Sequence, residues 1–183
     1  MEQGLGEIRD ALVIGRRDLH SRFFGQEIAM PRFVLETLLS LKEFVGREIG
    51  VTDWLVMTQE RIDGFAETTE DRQWIHIDRE RAQKESPYGT TIAHGFLTLS
   101  LLSYFMKQAI QFRSGAHVAI NYGLNRVRFP SPVPAGSKIR ARIRLLSTKQ
   151  FPDALEATFS VAVEAENSAK PCCAAEWVIR YCQ

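Results

Sequence analysis

The sequence has few cysteines, almost no surplus charge and no long apolar run, and each shortage excludes something. Three cysteines, Cys172, Cys173 and Cys182, occur among 183 residues. An odd count with two adjacent thiols makes a poor disulfide framework and lacks metal-ligand spacing, so reduced thiols in a cytoplasmic protein are expected. Lys and Arg number 23 against 22 Asp and Glu, a formal net charge of +1. No long-range field therefore points to nucleic acid or an anionic membrane surface. The longest apolar run, residues 96–106, is too short for a bilayer-spanning helix of about 20 residues. Residues 4–14 lack a basic segment ahead of an apolar run, and Arg16-Arg17 leads into Asp-Leu-His-Ser-Arg, so no export signal is expected. Neither G-x-S-x-G nor a cysteine beside a histidine is present, which leaves no evident activated nucleophile.

What is there suits one domain with a sizeable core: hydrophobic residues make up 45% and charged residues 25%. Residues 1–35 read as an extension and 36–183 as the domain. Gly15, Gly25 and Pro31 interrupt everything before residue 32 except a turn or two around Ile8–Ile14. From 33 to 45 apolar residues recur at helical spacing, and Gly46 ends the run. Residues 53–57 suggest a short strand. Thr58 is placed to cap a helix running to about Thr68, and Asp78 to cap another near 79–84. Ser86-Pro87-Tyr88-Gly89 reads as a turn.

From Gly95 to about Gln111 the pattern predicts one long helix, apolar nearly all round and so buried on several sides. After it the period falls from 3.6 to 2. Residues 117–129 read as a strand with a bulge or bend at Gly123. Ile139, Ala141, Ile143 and Leu145 alternate with Lys138, Arg140, Arg142 and Arg144; further alternating runs span 155–164 and 175–181. Several antiparallel strands with one apolar face need a cover, and the only element apolar enough is the 95–111 helix. The expected class is α+β, a curved antiparallel sheet wrapped round a central helix: the hot-dog architecture. The arginine row either pairs across strands with Glu156 and Glu164 or contacts phosphate. Edge strands and a second sheet face carrying Ala162 and Val178 favour a homodimer.

Two residues ahead of the helix carry the chemistry. Asp71 and His76 stand five apart, which alone means little. Yet Trp74-Ile75-His76-Ile77 alternates like a strand and would take His76 away from solvent, where an unpaired imidazole is costly. A carboxylate and an imidazole sharing one water form an acid–base couple near neutral pH. Gly95, opening a buried helix, could let a substrate oxygen reach a free backbone N–H, or could simply permit close helix–sheet packing. His94 reads as a capping or packing residue, with catalysis as the alternative. His76 and His94 lack i,i+4 spacing and a third ligand, so no metal set is expected.

Asp71-x4-His76, then Ile92-Ala93-His94-Gly95-Phe96-Leu97 leading to Ser100 and Ser103, resembles the MaoC-like dehydratase / (R)-specific enoyl-CoA hydratase family. Asn121-Tyr122-Gly123-Leu124-Asn125-Arg126-Val127-Arg128-Phe129-Pro130 resembles the branch related to nodulation protein N. The likeness spans about residues 36–182, with Gln73-Trp74 where many members have Asn-Pro. It implies a hot-dog homodimer that hydrates trans-2-enoyl-CoA to (3R)-hydroxyacyl-CoA. By the same resemblance Asp71 and His76 activate water and the Gly95 N–H polarises the thioester carbonyl. Ser103 would orient the aspartate, and Ser103 and His94 would lie against substrate. No metal or redox cofactor is implied, because the thioester itself acidifies the α-carbon. Two other functions fit the same fold: an acyl-CoA thioesterase, which usually needs a carboxylate on the central helix, and a non-catalytic acyl-binding module.

Overall fold

The computed structural model describes residues 33–115 and 118–182. The expected extension lies outside these residues up to position 32, and the boundary drawn at 35/36 falls inside the first strand.

Antiparallel strands build the main sheet. β2 (Glu48–Val51), β6 (Lys138–Gln150), β7 (Ala154–Ala165), β8 (Cys173–Cys182) and β5 (Val118–Arg128) lie side by side in that order, and the short β3 (Leu55–Val56) pairs with β6 beyond β2. Alternation decides the faces. Ile139, Ala141, Ile143 and Leu145 of β6 are buried, as are Ala157, Phe159, Val161 and Val163 of β7 and Ala175, Trp177, Ile179 and Tyr181 of β8. Thr52, buried between β2 and β3, holds the β6 backbone through its own N–H to Ala141 O and through its hydroxyl accepting from Ala141 N, both at 2.9 Å.

Against this apolar face lies the central helix, in two pieces: α4 (Gly95–Ser100) and α5 (Leu102–Ala109). Leu97, Leu102, Phe105, Met106 and Ala109 point into the common core. The single helix expected to run to Gln111 is broken at Leu101 and stops two residues early. The Ser100 hydroxyl donates to Leu97 O at 2.7 Å and competes for the helical acceptor, a known cause of bending. Beyond Ala109 the chain is claimed by tertiary pairing: β4 (Ile110–Ser114) runs parallel to β1 (Phe33–Thr37), with Phe33 opposite Ile110. Nor is the helix buried all round, since Phe96 is 69% exposed.

The segment predicted as a helix over 33–45 is also divided. β1 takes its first five residues. A 3₁₀ helix, Leu38–Phe44, follows, and Thr37 caps it by accepting from Ser40 N at 3.2 Å. Leu38 and Leu41, both fully buried, stand three apart and share a face of a three-residue turn, so the apolar spacing was real but the period was mistaken. The remaining caps fall as expected. Thr58 opens α1 (Gln59–Thr69) and Asp78 opens α3 (Arg79–Glu85). β5 has two register irregularities, one between Asn121 and Gly123 as expected and one between Leu124 and Arg126.

The arginine row is an ion-pair ladder in part. Glu164 accepts from Arg140 at 2.9 Å and from Arg142 at 3.0 Å, and Arg142 also reaches Glu48 at 2.7 Å. Arg144 instead donates to the Gly46 carbonyl. Glu156 is taken by Arg180 of β8, its direct cross-strand neighbour. Along β5, at the end of the sheet order, Val118, Ile120, Tyr122 and Leu124 are exposed. No helix among the described residues is long and apolar enough to cross a membrane.

Candidate active site

Residues 91–93 run extended between two other segments and set the register of the site. Ala135 N donates to Thr91 O at 2.9 Å and Ala93 N to Val133 O at 2.8 Å. On the other side Ile92 N donates to Ile75 O at 3.0 Å. The ring of His76 completes that tie, its Nδ1–H donating to Ile92 O at 2.6 Å. Because a carbonyl only accepts, this bond fixes the proton on Nδ1 of the neutral ring and leaves Nε2 as the bare nitrogen.

The expected strand at 74–77 is a single helical turn, α2 (Trp74–Ile77). Four alternating residues do not distinguish the two, and local acceptors decided it: His76 N donates to Gln73 O and Asp78 N to Trp74 O, each at 2.9 Å. The consequence for His76 is unchanged, for it is only 7% exposed. Burial is the largest influence on the ring and holds its pKa below the ordinary imidazole value of 6.5. The bond to Ile92 and the Asp71 carboxylate act in the opposite direction, and the neighbouring His94 acts with burial.

Asp71 follows α1 after Glu70, whose left-handed φ of 60° turns the chain out of the helix. Its side chain is 55% exposed, yet its backbone is tied inward: His94 Nε2–H donates to Asp71 O at 2.9 Å, with Asp71 Oδ2 at 4.0 Å from the same nitrogen. The rings of His94 and His76 are stacked, with centroids 3.7 Å apart. One donor atom each from Asp71, His76 and His94 lies within 4.8 Å of the others. Chain spacing did not foresee that cluster. As a metal set it is poorly built, because nearly parallel rings aim their nitrogens side by side rather than at one ion.

A cavity of about 300 Å³ opens beside His76 and is lined by Gly95, Thr98, Tyr88, Phe129 and Cys172 among others. Gly95 is the first residue of α4, and no side chain caps that helix. A Cβ at position 95 would lie 2.9 Å from Cγ of Phe129, so the glycine is required by the ring packed on it as well as available to a ligand. Cys172 faces this cavity as an inert thiol: burial, with Cys173 adding to it, pushes its pKa up to about 12.

Ser103 lies elsewhere. Its hydroxyl bonds the Asn121 side chain, and it lines a second, larger cavity of about 420 Å³ with Met106, Trp177 and Tyr181. Within one chain, then, Asp71, His76, His94 and Gly95 are gathered and Ser103 is not among them. Two contributors were not singled out as site residues in the sequence. Gln59 donates to His76 O at 2.7 Å and accepts from the Thr91 hydroxyl, joining α1 to both sides of the site. Phe129, just beyond β5, lays its ring over Gly95.

The profile of the MaoC-like domain matches residues 41–167. The 3-hydroxyacyl-thioester dehydratase Z of Mycobacterium tuberculosis (strain ATCC 25618 / H37Rv) is 48% identical over 147 residues, covering 80% of this chain and 96% of that protein. Nodulation protein N of Rhizobium leguminosarum bv. viciae is 45% identical over 144 residues, covering 78% and 89%. Among solved structures, the (R)-hydratase of A. caviae superposes with a TM-score of 0.60 at 22% identity, over 74% of this chain and 94% of that one. At that identity the superposition speaks for the hot-dog fold alone. Taken with the sequence relatives and the matched profile, it leads to one assignment: the chain belongs to the MaoC-like dehydratase family.

Proposed function

We propose that this protein adds water reversibly across the double bond of a trans-2-enoyl-CoA, giving the (3R)-hydroxyacyl thioester. Membership in the family supports a hydratase or dehydratase, and names such as 3-hydroxyacyl-thioester dehydratase among the relatives support a thioester substrate. The single observation that carries the mechanism is the meeting of the Asp71 carboxylate with the buried His76 ring, beside a cavity that reaches Gly95. Water held between Asp71 and His76 gives its oxygen to the β-carbon and one proton to the pair; a proton from the pair goes to the α-carbon. The Gly95 N–H, at the positive end of the helix, donates to the thioester oxygen as negative charge grows there. No metal or redox group is required by that balance.

The exposed apolar side chains of β5 support a homodimer joined along that edge, with Ser103 beside Asn121 close to the joint. Free cysteines, two of them buried, support a cytoplasmic setting. The thioesterase alternative finds no carboxylate along α4 or α5 to serve as its base. Incubation with crotonyl-CoA tests the reading: loss of enoyl absorbance without thiol release is expected. Thiol release overturns it in favour of a thioesterase, and no change in either signal favours the acyl-binding module.

A further inference from the structure

Three groups meet on the ring of His94. Its Nε2–H holds the Asp71 carbonyl at 2.9 Å, the His76 ring is stacked on it at 3.7 Å, and the Phe65 ring stands 5.0 Å away. The residue after it is Gly95. The side chain does not cap the helix it precedes. Its Nδ1 is buried without a hydrogen-bond partner among the described residues, which is unfavourable for a polar atom. A phenyl ring would fill this space without that penalty. What the imidazole has beyond a phenyl ring is the bond to Asp71.

That bond has little competition. The turn after α1 is otherwise held by Arg72 N to Glu70 O at 3.1 Å and by exposed pairs of Arg72 with Glu67 and Glu70. From these contacts we propose that His94 is a positioning residue, which holds the Asp71 backbone, the His76 ring and the Gly95 end of the helix in one register. It rests on the acid–base reading of Asp71 and His76 and adds to it the part that fixes their separation. His94 takes no proton from substrate. It acts through the two residues it touches.

Two substitutions separate its contacts. His94→Phe keeps a ring on His76 and removes the bond to Asp71, whereas His94→Gln keeps an N–H donor and removes the ring. With crotonyl-CoA, His94→Phe is expected to lower kcat about 100-fold with KM little changed, the scale of a misplaced catalytic group. His94→Gln is expected to recover part of that loss. The titratable groups facing His76 are Asp71 and His94, with Tyr88 and Cys172 across the cavity. Removing the His94 imidazole should therefore move the His76 limb of the pH–rate profile to higher pH. Wild-type kcat and an unmoved limb in His94→Phe overturn the proposal.

If neither variant folds, the wild-type protein still decides. Nitrogen-15 histidine spectra should show His94 carrying its proton on Nε2 and His76 on Nδ1; a His94 proton on Nδ1 overturns the proposal. Asp71→Asn run in parallel separates the two levels. A fully active Asp71→Asn ends the acid–base reading and this inference with it. An inactive Asp71→Asn beside a fully active His94→Phe ends only the inference.

Discussion

His76 and His94 stack with their ring planes only 27° apart, so protonating one imidazole sets a charge against the face of the other. Burial, the larger effect, and this neighbour both disfavour charged His76, and its folded pKa is depressed. In the unfolded chain the ring titrates near 6.5 and takes up its proton first as pH falls. Its contribution to stability is therefore fully present above about 6.5 and is lost as pH falls towards the lower folded value. Urea midpoints measured from pH 7.5 down to 5 should fall on the acid side, and His76→Gln should flatten the curve. An equal slope in that variant would place the titration elsewhere.

Asp71→Asn should reduce the hydration rate by roughly 10²- to 10⁴-fold, the usual worth of a positioned acid or base. The carboxylate is half exposed, and its backbone bond to His94 is untouched by the change. Thermal stability should stay within about 0.5 kcal/mol of wild type. Steady-state rates and a melting curve on the same sample check both halves. A large loss of stability with normal turnover would make Asp71 a structural residue.

Gly95→Ala tests the helix entrance sterically. The new methyl meets the face of Phe129 at 2.9 Å, and overpacking of this kind costs about 1–3 kcal/mol. Gly95→Ala combined with Phe129→Leu should regain part of that stability in a chemical melt. Activity that stays low in the stable double variant would assign the defect to the blocked N–H rather than to folding.

Ile120→Glu with Leu124→Glu puts two charges among the exposed apolar residues of β5. If that edge joins two copies, light scattering should move from the mass of a dimer to that of the single chain of 20.8 kDa. An unchanged mass places the joint elsewhere.

Much of the fold is legible in the residues because β6 alternates from Lys138 to Leu145, β7 from Leu155 on and β8 throughout, and the 95–111 stretch has no charged face. Two of the errors share one cause. Phe33–Thr37 and Ile110–Ser114 become strands by pairing with each other across the chain, and no local pattern can announce a partner so far away. Asp78 and Thr58 were readable as caps because a cap is a local bond. At the site, Asp71, His76 and Gly95 are singled out by their context and by the family resemblance, because their spacing alone means little. That His94 joins the first two, and that Gln59 and Phe129 enclose the rest, depends on ring positions set by tertiary contacts. The clustering of Asp71, His76 and His94 was hidden for the same reason, since the three donors come from different segments.

The sheet order has a consequence for biosynthesis. Among the described residues of the main sheet β5 pairs with β8 alone, and β8 lies between β5 and β7. While the ribosome is still making Cys173–Cys182, Val118–Arg128 has no neighbour within its own sheet, and its apolar side chains stay open to other nascent chains. Closure waits for the final strand, so slow translation or truncation there should favour aggregation.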